Sequence, residues 1–346
     1  MSIGCTTEKL LGHGHDHGHG LHLHPTGQGI IAREAEPSLD ESWTLGDVEQ
    51  GLSTMSALEQ QPAADSRTLW IGTSGYSYPE WVRAGIYPPG TKAAQMLPLY
   101  AQEFPVTELN YTWYQIPRAR AIDRQRALVP SGFRFCAKLT RTLTHEVDAK
   151  AWQVEAEKYR AGIAPLLQSH QLLAVLVQFS GSFDRSLGHR AYLAALLDEL
   201  HDLPLAVEFR NASWVDDKVF AELERRRVSL VTVDEPDLVG LFPSLDVVTN
   251  PALFYVRFHG RNTAGWQSSR GLHGNTMAQQ FDYDYSDDEL ARWSDERLRR
   301  ILEAAKTGVL FFNNHVRGQA PKNARRLLHL LQSAGVLTPQ PNLAPT

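Results

Sequence analysis

The sequence predicts an α/β fold, a TIM-like (β/α)8 barrel carrying a disordered N-terminal extension, on three observations. From Thr68 onward, eight short apolar runs rich in β-branched and aromatic residues alternate with longer segments of helical spacing, the pattern of parallel strands joined by crossover helices. No glycine-rich dinucleotide fingerprint follows the first run, which counts against an open doubly wound sheet. Polar residues gather at the carboxyl end of nearly every run, where barrels of this type keep their chemistry. An incomplete or distorted barrel is the alternative.

Residues 1–66 are rich in Gly, His, Glu, Gln and Ser, so a disordered tail is expected, with one short helix near 44–60. Within it, GHGHDHGHGLHLH strings together His13, His15, His17, His19, His22 and His24. Such a tract either wraps a Zn, Ni or Cu ion or is a solvated tail, and neither reading places a metal in a catalytic site. The barrel is expected over 67–336 and a C-terminal tail over 337–346. Its strands are drawn at 68–74, 106–110, 133–138, 172–179, 205–210, 229–234, 253–260 and 308–314. The clearest helices fall at 149–168, 189–201, 216–227, 287–306 and 321–333.

A net charge of -5, from 34 basic and 39 acidic residues, gives no general pull toward polyanions, so duplex nucleic acid is not the expected partner. The two cysteines, Cys5 and Cys136, do not make a disulfide framework, which points to a reducing compartment. Neither a leader pattern nor an apolar run of membrane-spanning length is seen, so the expectation is a soluble cytoplasmic protein without a membrane partner.

The candidate site is read from the strand ends. Glu108 with Asn110, Glu208 with Arg210, Arg257 with His259, and Asn313 with His315 are each two residues apart, which in a strand places both side chains on one face. Lys138, Ser74, Gln178 and Asp234 end other runs. Each Glu and Arg taken alone fits a buried scaffold pair as well as chemistry, but six or more converging ends favour a functional mouth. Glu108 or Glu208 is the candidate base, and His259 or Lys138 the candidate acid. Arg210, Arg257 and His315 are assigned to an anion, Asn110 and Asn313 to orienting it. Tyr76, Tyr114 and Trp214 are expected to line the pocket with their rings.

The stretch FFNNHVRGQAPKNA (311–324) is read as the end of the eighth strand running into the last helix, with Pro321 in its first turn. With Arg257, His259 and Arg261, the amides from Gly318 to Asn323 could form an anion-binding corner. Alternatively, Asn313 and Asn323 only cap a tight loop. A divalent-metal variant would use Glu208, Asp234, His259 and His315, although no compact ligand motif is present and Arg210 and Arg257 would repel a cation.

The segments GTSGYSYPEW (72–81), FPVTELNYTWYQIP (104–117), FRFCAKLTRTLTH (133–145), VEFRNASW (207–214), YVRFHG (255–260) and NNHVRGQAPKNA (313–324) resemble, in order, those of the YecE-like family, the domain of unknown function numbered seventy-two. The resemblance spans nearly all of 67–335 and implies a TIM-like barrel without an agreed reaction. Tyr111, Trp113 and the loop QFSGSF (178–183) depart from the family pattern, which implies a pocket narrower on one side and looser on another.

Two functional classes follow. One is an enzyme (hydrolase, isomerase or lyase) acting by acid and base on a small anionic substrate such as a phosphorylated sugar or nucleotide-like molecule. The other is a non-catalytic binder of a small anionic ligand or a nucleic-acid end. No motif names a cofactor.

Overall fold

Strand formation follows the apolar runs closely. A computed structural model describes residues 68–269, 277–305 and 307–337. The His-rich tract, the helix expected near 44–60 and the tail from 338 onward lie outside the described residues. The strands are β1 Thr68–Ser74, β2 Val106–Leu109, β3 Arg134–Lys138, β4 Leu172–Gln178, β5 Leu205–Glu208, β6 Ser229–Asp234, β7 Phe254–Phe258 and β8 Thr307–Phe312. They form a closed barrel in sequence order, each neighbouring pair parallel, with β8 returning to β1 in a register from Thr68↔Thr307 to Thr73↔Phe312.

Alternation along each strand separates two cores. Val106, Cys136, Ala174, Leu176, Ala206, Val231, Val233, Tyr255, Val309 and Phe311 fill the barrel. Their neighbours, among them Val175, Val177, Leu230, Val256, Leu310 and Phe312, belong to the larger cluster formed with the helices. Small Ala174 and Ala206 leave room for Tyr255 and Phe311, whose rings lie 5.5 Å apart. Two residues further along each strand, the inward positions become polar: Glu108, Lys138, Gln178, Glu208, Glu235, Arg257 and Asn313. Thus the same alternation that packs the barrel delivers an ionisable layer to its carboxyl end.

Several strands stop short of the expected boundary. Asn110, Arg210, His259 and Asn313 lie just beyond β2, β5, β7 and β8, and Asn110 has turned to helical dihedrals (φ -77, ψ -26). A shared strand face therefore does not account for those pairings. The helices Trp152–Gln168, Leu187–Glu199, Asp217–Arg226 and Gln319–Ser333 match expectation within a few residues, and Pro321 does sit in the first turn of the last. The helix expected over 287–306 is interrupted by a π-turn at Trp293–Leu298. Its first residue, Trp293, donates its indole N–H to Asp234 at 2.5 Å, and a widened turn of this kind re-aims a side chain. Between β6 and β7, residues 235–253 form no helix.

Candidate functional site

Arg257, fully buried, is the hub of the polar layer. Its Nη1 donates to Glu208 Oε2 and its Nη2 to Glu108 Oε1, both at 2.7 Å, and Nη2 also approaches Ser74 Oγ at 3.4 Å. The second oxygen of Glu108 accepts the Tyr255 hydroxyl at 2.6 Å. Burial pulls the Arg257 guanidinium down, but Glu108 and Glu208 outweigh it and raise it above its ordinary value. Burial likewise pushes the Glu208 carboxyl up, yet Arg210, Arg257 and His259 hold it well below the usual carboxylate range.

Arg210 carries the network across to β6. Its Nη1 donates to Glu235 Oε2 at 2.7 Å, while Nη2 lies 2.7 Å from Glu208 Oε1 and 3.0 Å from His259 Nε2. The contact with Glu208 Oε1 is close but its N–H is not aimed at that oxygen, which has no aligned donor among the described residues. Because a guanidinium only donates, His259 Nε2 must accept from Arg210, so the ring proton belongs on Nδ1. Nδ1 is 3.0 Å from the Asn313 amide, whose carbonyl oxygen should then face it. In that tautomer the 3.3 Å approach of His259 Nε2 to Glu208 is not a hydrogen bond. Burial and Arg210 push His259 down to about 3, which favours the neutral ring with its proton on Nδ1.

Glu235 is the residue that sequence reasoning missed. The search stopped at Asp234, the end of the apolar run, although Val231 and Val233 point inward and the same period sends Glu235 inward and Asp234 outward. Burial, reinforced by Glu208 and Asp234 against the pull of Arg210, pushes Glu235 up to about 8. Its Oε1 is buried with no hydrogen-bond partner among the described residues.

Lys138 completes the layer. Its ammonium lies 5.0 Å from the centre of the Trp113 ring, and among the described residues it has neither a hydrogen bond nor an ion pair. Burial, then the neighbouring Arg257 and Arg210, push it down to about 7 against the opposing pull of Glu108 and Glu208. On the other side, His145 stands edge-on to Trp113 at 5.0 Å and is itself pushed down to about 4 by burial and Lys138. The indole nitrogen of Trp113 and Asn110 Oδ1 are also buried without partners among the described residues.

Of the residues singled out from sequence, Glu108, Glu208, Arg210, Arg257, His259 and Asn313 form one bonded cluster, with Lys138 beside it. Asn110 adjoins the Tyr78 hydroxyl at the rim. Tyr114 is exposed and meets Trp113 edge-on at 4.9 Å. The Tyr76 hydroxyl accepts from Gln125 at 2.7 Å, away from the ionic cluster. His315 stacks on Tyr78 at 4.7 Å, is pushed down by burial, and meets the cluster through the backbone carbonyl of Asn313, 3.2 Å from its Nδ1. Trp214 is packed between Phe209 and Phe183, at 4.5 and 5.4 Å, and donates its N–H to the Phe183 carbonyl, so both ring faces meet protein.

The expected anion corner is occupied by protein groups. Arg261 pairs bidentately with Asp234 at 2.8 and 2.6 Å and reaches Glu289. Asn323 accepts from Asn314 and the Tyr285 amide and donates to Asp284, the work of a loop brace. Among the described residues no group of three or more His, Cys, Asp or Glu is arranged to hold a metal, and Asp234 lies on the outward face away from Glu208. Among them also, no helix is long and apolar enough to cross a membrane.

Comparison with known proteins places this geometry. The family described as "Protein of unknown function DUF72" matches residues 70–345. The UPF0759 protein YunF of Bacillus subtilis is 29% identical over 272 residues, covering 76% of this chain and 94% of its own. A shorter match, 30% identical over 98 residues, is to the UPF0759 protein YecE of Escherichia coli K12, covering 28% of this chain and 33% of that protein. Two crystal structures titled as DUF72 family proteins superimpose well. One, from Enterococcus faecalis, has a TM-score of 0.70 and 29% identity, covering 81% of this chain and 99% of its own. The other, from Thermotoga maritima, has a TM-score of 0.66 and 31% identity, covering 77% and 99%. Sequence segments, closed barrel and matched relatives agree, and the chain belongs to the DUF72 family.

Proposed function

We propose that this chain is an enzyme that carries out acid–base chemistry on a small anionic substrate at the carboxyl end of its barrel. One observation carries the reading: the half-buried Lys138 ammonium stands beside two arginines and no carboxylate is bonded to it among the described residues. An arriving anion would supply the missing counter-charge, because a cation partly withdrawn from water beside two others is costly without one. The unpartnered Trp113 N–H next to it is a donor suited to the same anion.

Lys138 and Glu235, displaced toward neutrality from opposite directions, are the groups suited to exchange protons at neutral pH. Glu108 and Glu208 balance the charges of Arg257 and Arg210 and hold both guanidiniums in place. A phosphorylated sugar or nucleotide-like molecule fits the charge and the aromatic rim formed by Trp113 and Tyr114. The reaction class would be hydrolysis, isomerisation or elimination.

The reading is tested by a thermal-shift screen of sugar phosphates, nucleotides and oxo acids, followed by product analysis on the hits. Some anion is expected to raise the melting temperature of the wild type, to lose that effect in Lys138→Met, and to be turned over by the wild type far faster than by Glu235→Gln. Equal shifts in wild type and Lys138→Met would overturn it. An anion that binds through Lys138 but is never converted would make the protein a binder rather than an enzyme.

A further inference from the structure

Lys138 is set up as a nucleophile as well as a cation. It ends β3 on the inward face, two residues after the buried Cys136, and its nitrogen is not tied down by a hydrogen bond or ion pair among the described residues. Every charged element around it is itself held. Arg257 on β7 is fixed by Glu108 and Glu208, and Arg210 after β5 by Glu208 and Glu235. The Trp113 ring lies 5.0 Å from the ammonium, with neutral His145 edge-on to that ring. An unbonded, half-buried amine with cationic neighbours has its lone pair available more often at neutral pH than a free lysine does, the circumstance in which lysines attack carbonyl carbon.

From this geometry we propose that Lys138 forms a Schiff base with a small anionic aldehyde or ketone. The inference rests on the reading of the mouth as an anion site and names the class of anion. The neutral amine nitrogen bonds to the carbonyl carbon, and the carbonyl π pair passes to oxygen. Transfer of a proton from nitrogen to that oxygen gives a carbinolamine. Protonation of its hydroxyl by solvent, departure of water and formation of the C=N bond complete the imine, with no net oxidation or reduction. Lys138, pushed down to about 7, is deprotonated in roughly half of the molecules near neutral pH, whereas an ordinary lysine titrating near about 10.4 is almost wholly protonated there. Once formed, a protonated imine beside Glu208 is an electron sink for breaking or deprotonating the bond next to it.

The test uses the full chain with glyoxylate as anionic aldehyde and propionaldehyde as neutral comparator, each trapped by cyanoborohydride and located by peptide mass spectrometry. The exposed Lys150 serves as internal reference. At pH 7 glyoxylate should modify Lys138 on the order of tenfold or more faster than Lys150, with a rate that rises to a half-point near pH 7. Propionaldehyde should modify Lys138 more slowly than glyoxylate does. No preference for Lys138 with either aldehyde overturns the Schiff-base inference. If glyoxylate or inorganic phosphate nevertheless protects the wild type from thermal unfolding and not Lys138→Met, the anion reading survives that failure. Equal labelling of Lys138 by both aldehydes retains the amine chemistry and removes the anionic character of the substrate. Because the comparison is made within the wild-type protein, it does not depend on whether a Lys138 variant folds.

Discussion

Two corners of the same barrel end are built from the same ingredients and finish differently. At the outward corner, Asp234 Oδ1 accepts from Arg261 Nε and the Tyr285 hydroxyl, and Oδ2 accepts from Arg261 Nη2 and Trp293 Nε1. Four donors meet four lone pairs, and the carboxylate has nothing left to offer. At the inward corner, one residue later in sequence, Glu235 spends one oxygen on Arg210, while Glu235 Oε1, Arg210 Nε, Arg257 Nε and Trp113 Nε1 have no hydrogen-bond partner among the described residues. A saturated carboxylate braces the loops. Incompletely bonded groups in an enclosed place have a reason to be there other than stability, since stability would favour apolar replacements.

The sharpest way to break this contrast is Arg257→Met, which leaves Glu108 and Glu208 facing each other in the barrel interior. Unfolding in urea should show a loss of about 3–5 kcal/mol; a loss near zero would mean the layer is wetter and looser than described.

Next comes Glu235→Gln, followed as stability against pH. In the wild type the folded carboxyl holds its proton up to about 8, while the unfolded one releases it near about 4.3. Between those values the folded state binds more protons, so stability falls as pH rises, at up to about 1.4 kcal/mol per unit. The Gln variant should lack that decline. Lys138 runs the opposite way: with its folded pKa lowered to about 7, it makes stability rise with pH from there toward the unfolded value near about 10.4, a rise that Lys138→Met should lose. Parallel pH profiles for wild type and both variants would dissolve the distinction between the two corners.

Asp234→Asn should be milder, because its shape is kept and Arg261 retains Glu289; about 1–3 kcal/mol is expected in urea, without change in any anion affinity measured at the mouth. The smallest effect belongs to Tyr114→Ala. Its ring is 67% exposed, so stability should stay within about 0.5 kcal/mol, and any change in ligand affinity measured by titration calorimetry would place Tyr114 at the rim of the mouth.

Much of the fold was legible because the period of apolar residues in each run is a direct consequence of strand geometry, as the agreement of β1 and β6 with runs 68–74 and 229–234 illustrates. Glu108, Lys138, Glu208 and Arg257 were legible for the same reason. Glu235 was legible in principle: counting inward positions from Val231 finds it, whereas looking for the last residue of the run finds Asp234. Other features depend on partners far away in sequence. That Trp214 is enclosed by Phe183 and Phe209, or that Arg261 is committed to Asp234, follows from tertiary contacts that no local pattern encodes. The pairing of Trp293, at the start of the π-turn, with Asp234 belongs with them, since the two lie 59 residues apart.

The Tyr255 hydroxyl bonded to Glu108, and the ring beneath it lying on Phe311, have a further consequence. With Val309, Val231, Ala174 and their neighbours they fill the barrel beneath the polar layer. The described barrel is therefore a cup rather than a conduit, with Lys138 at its open end.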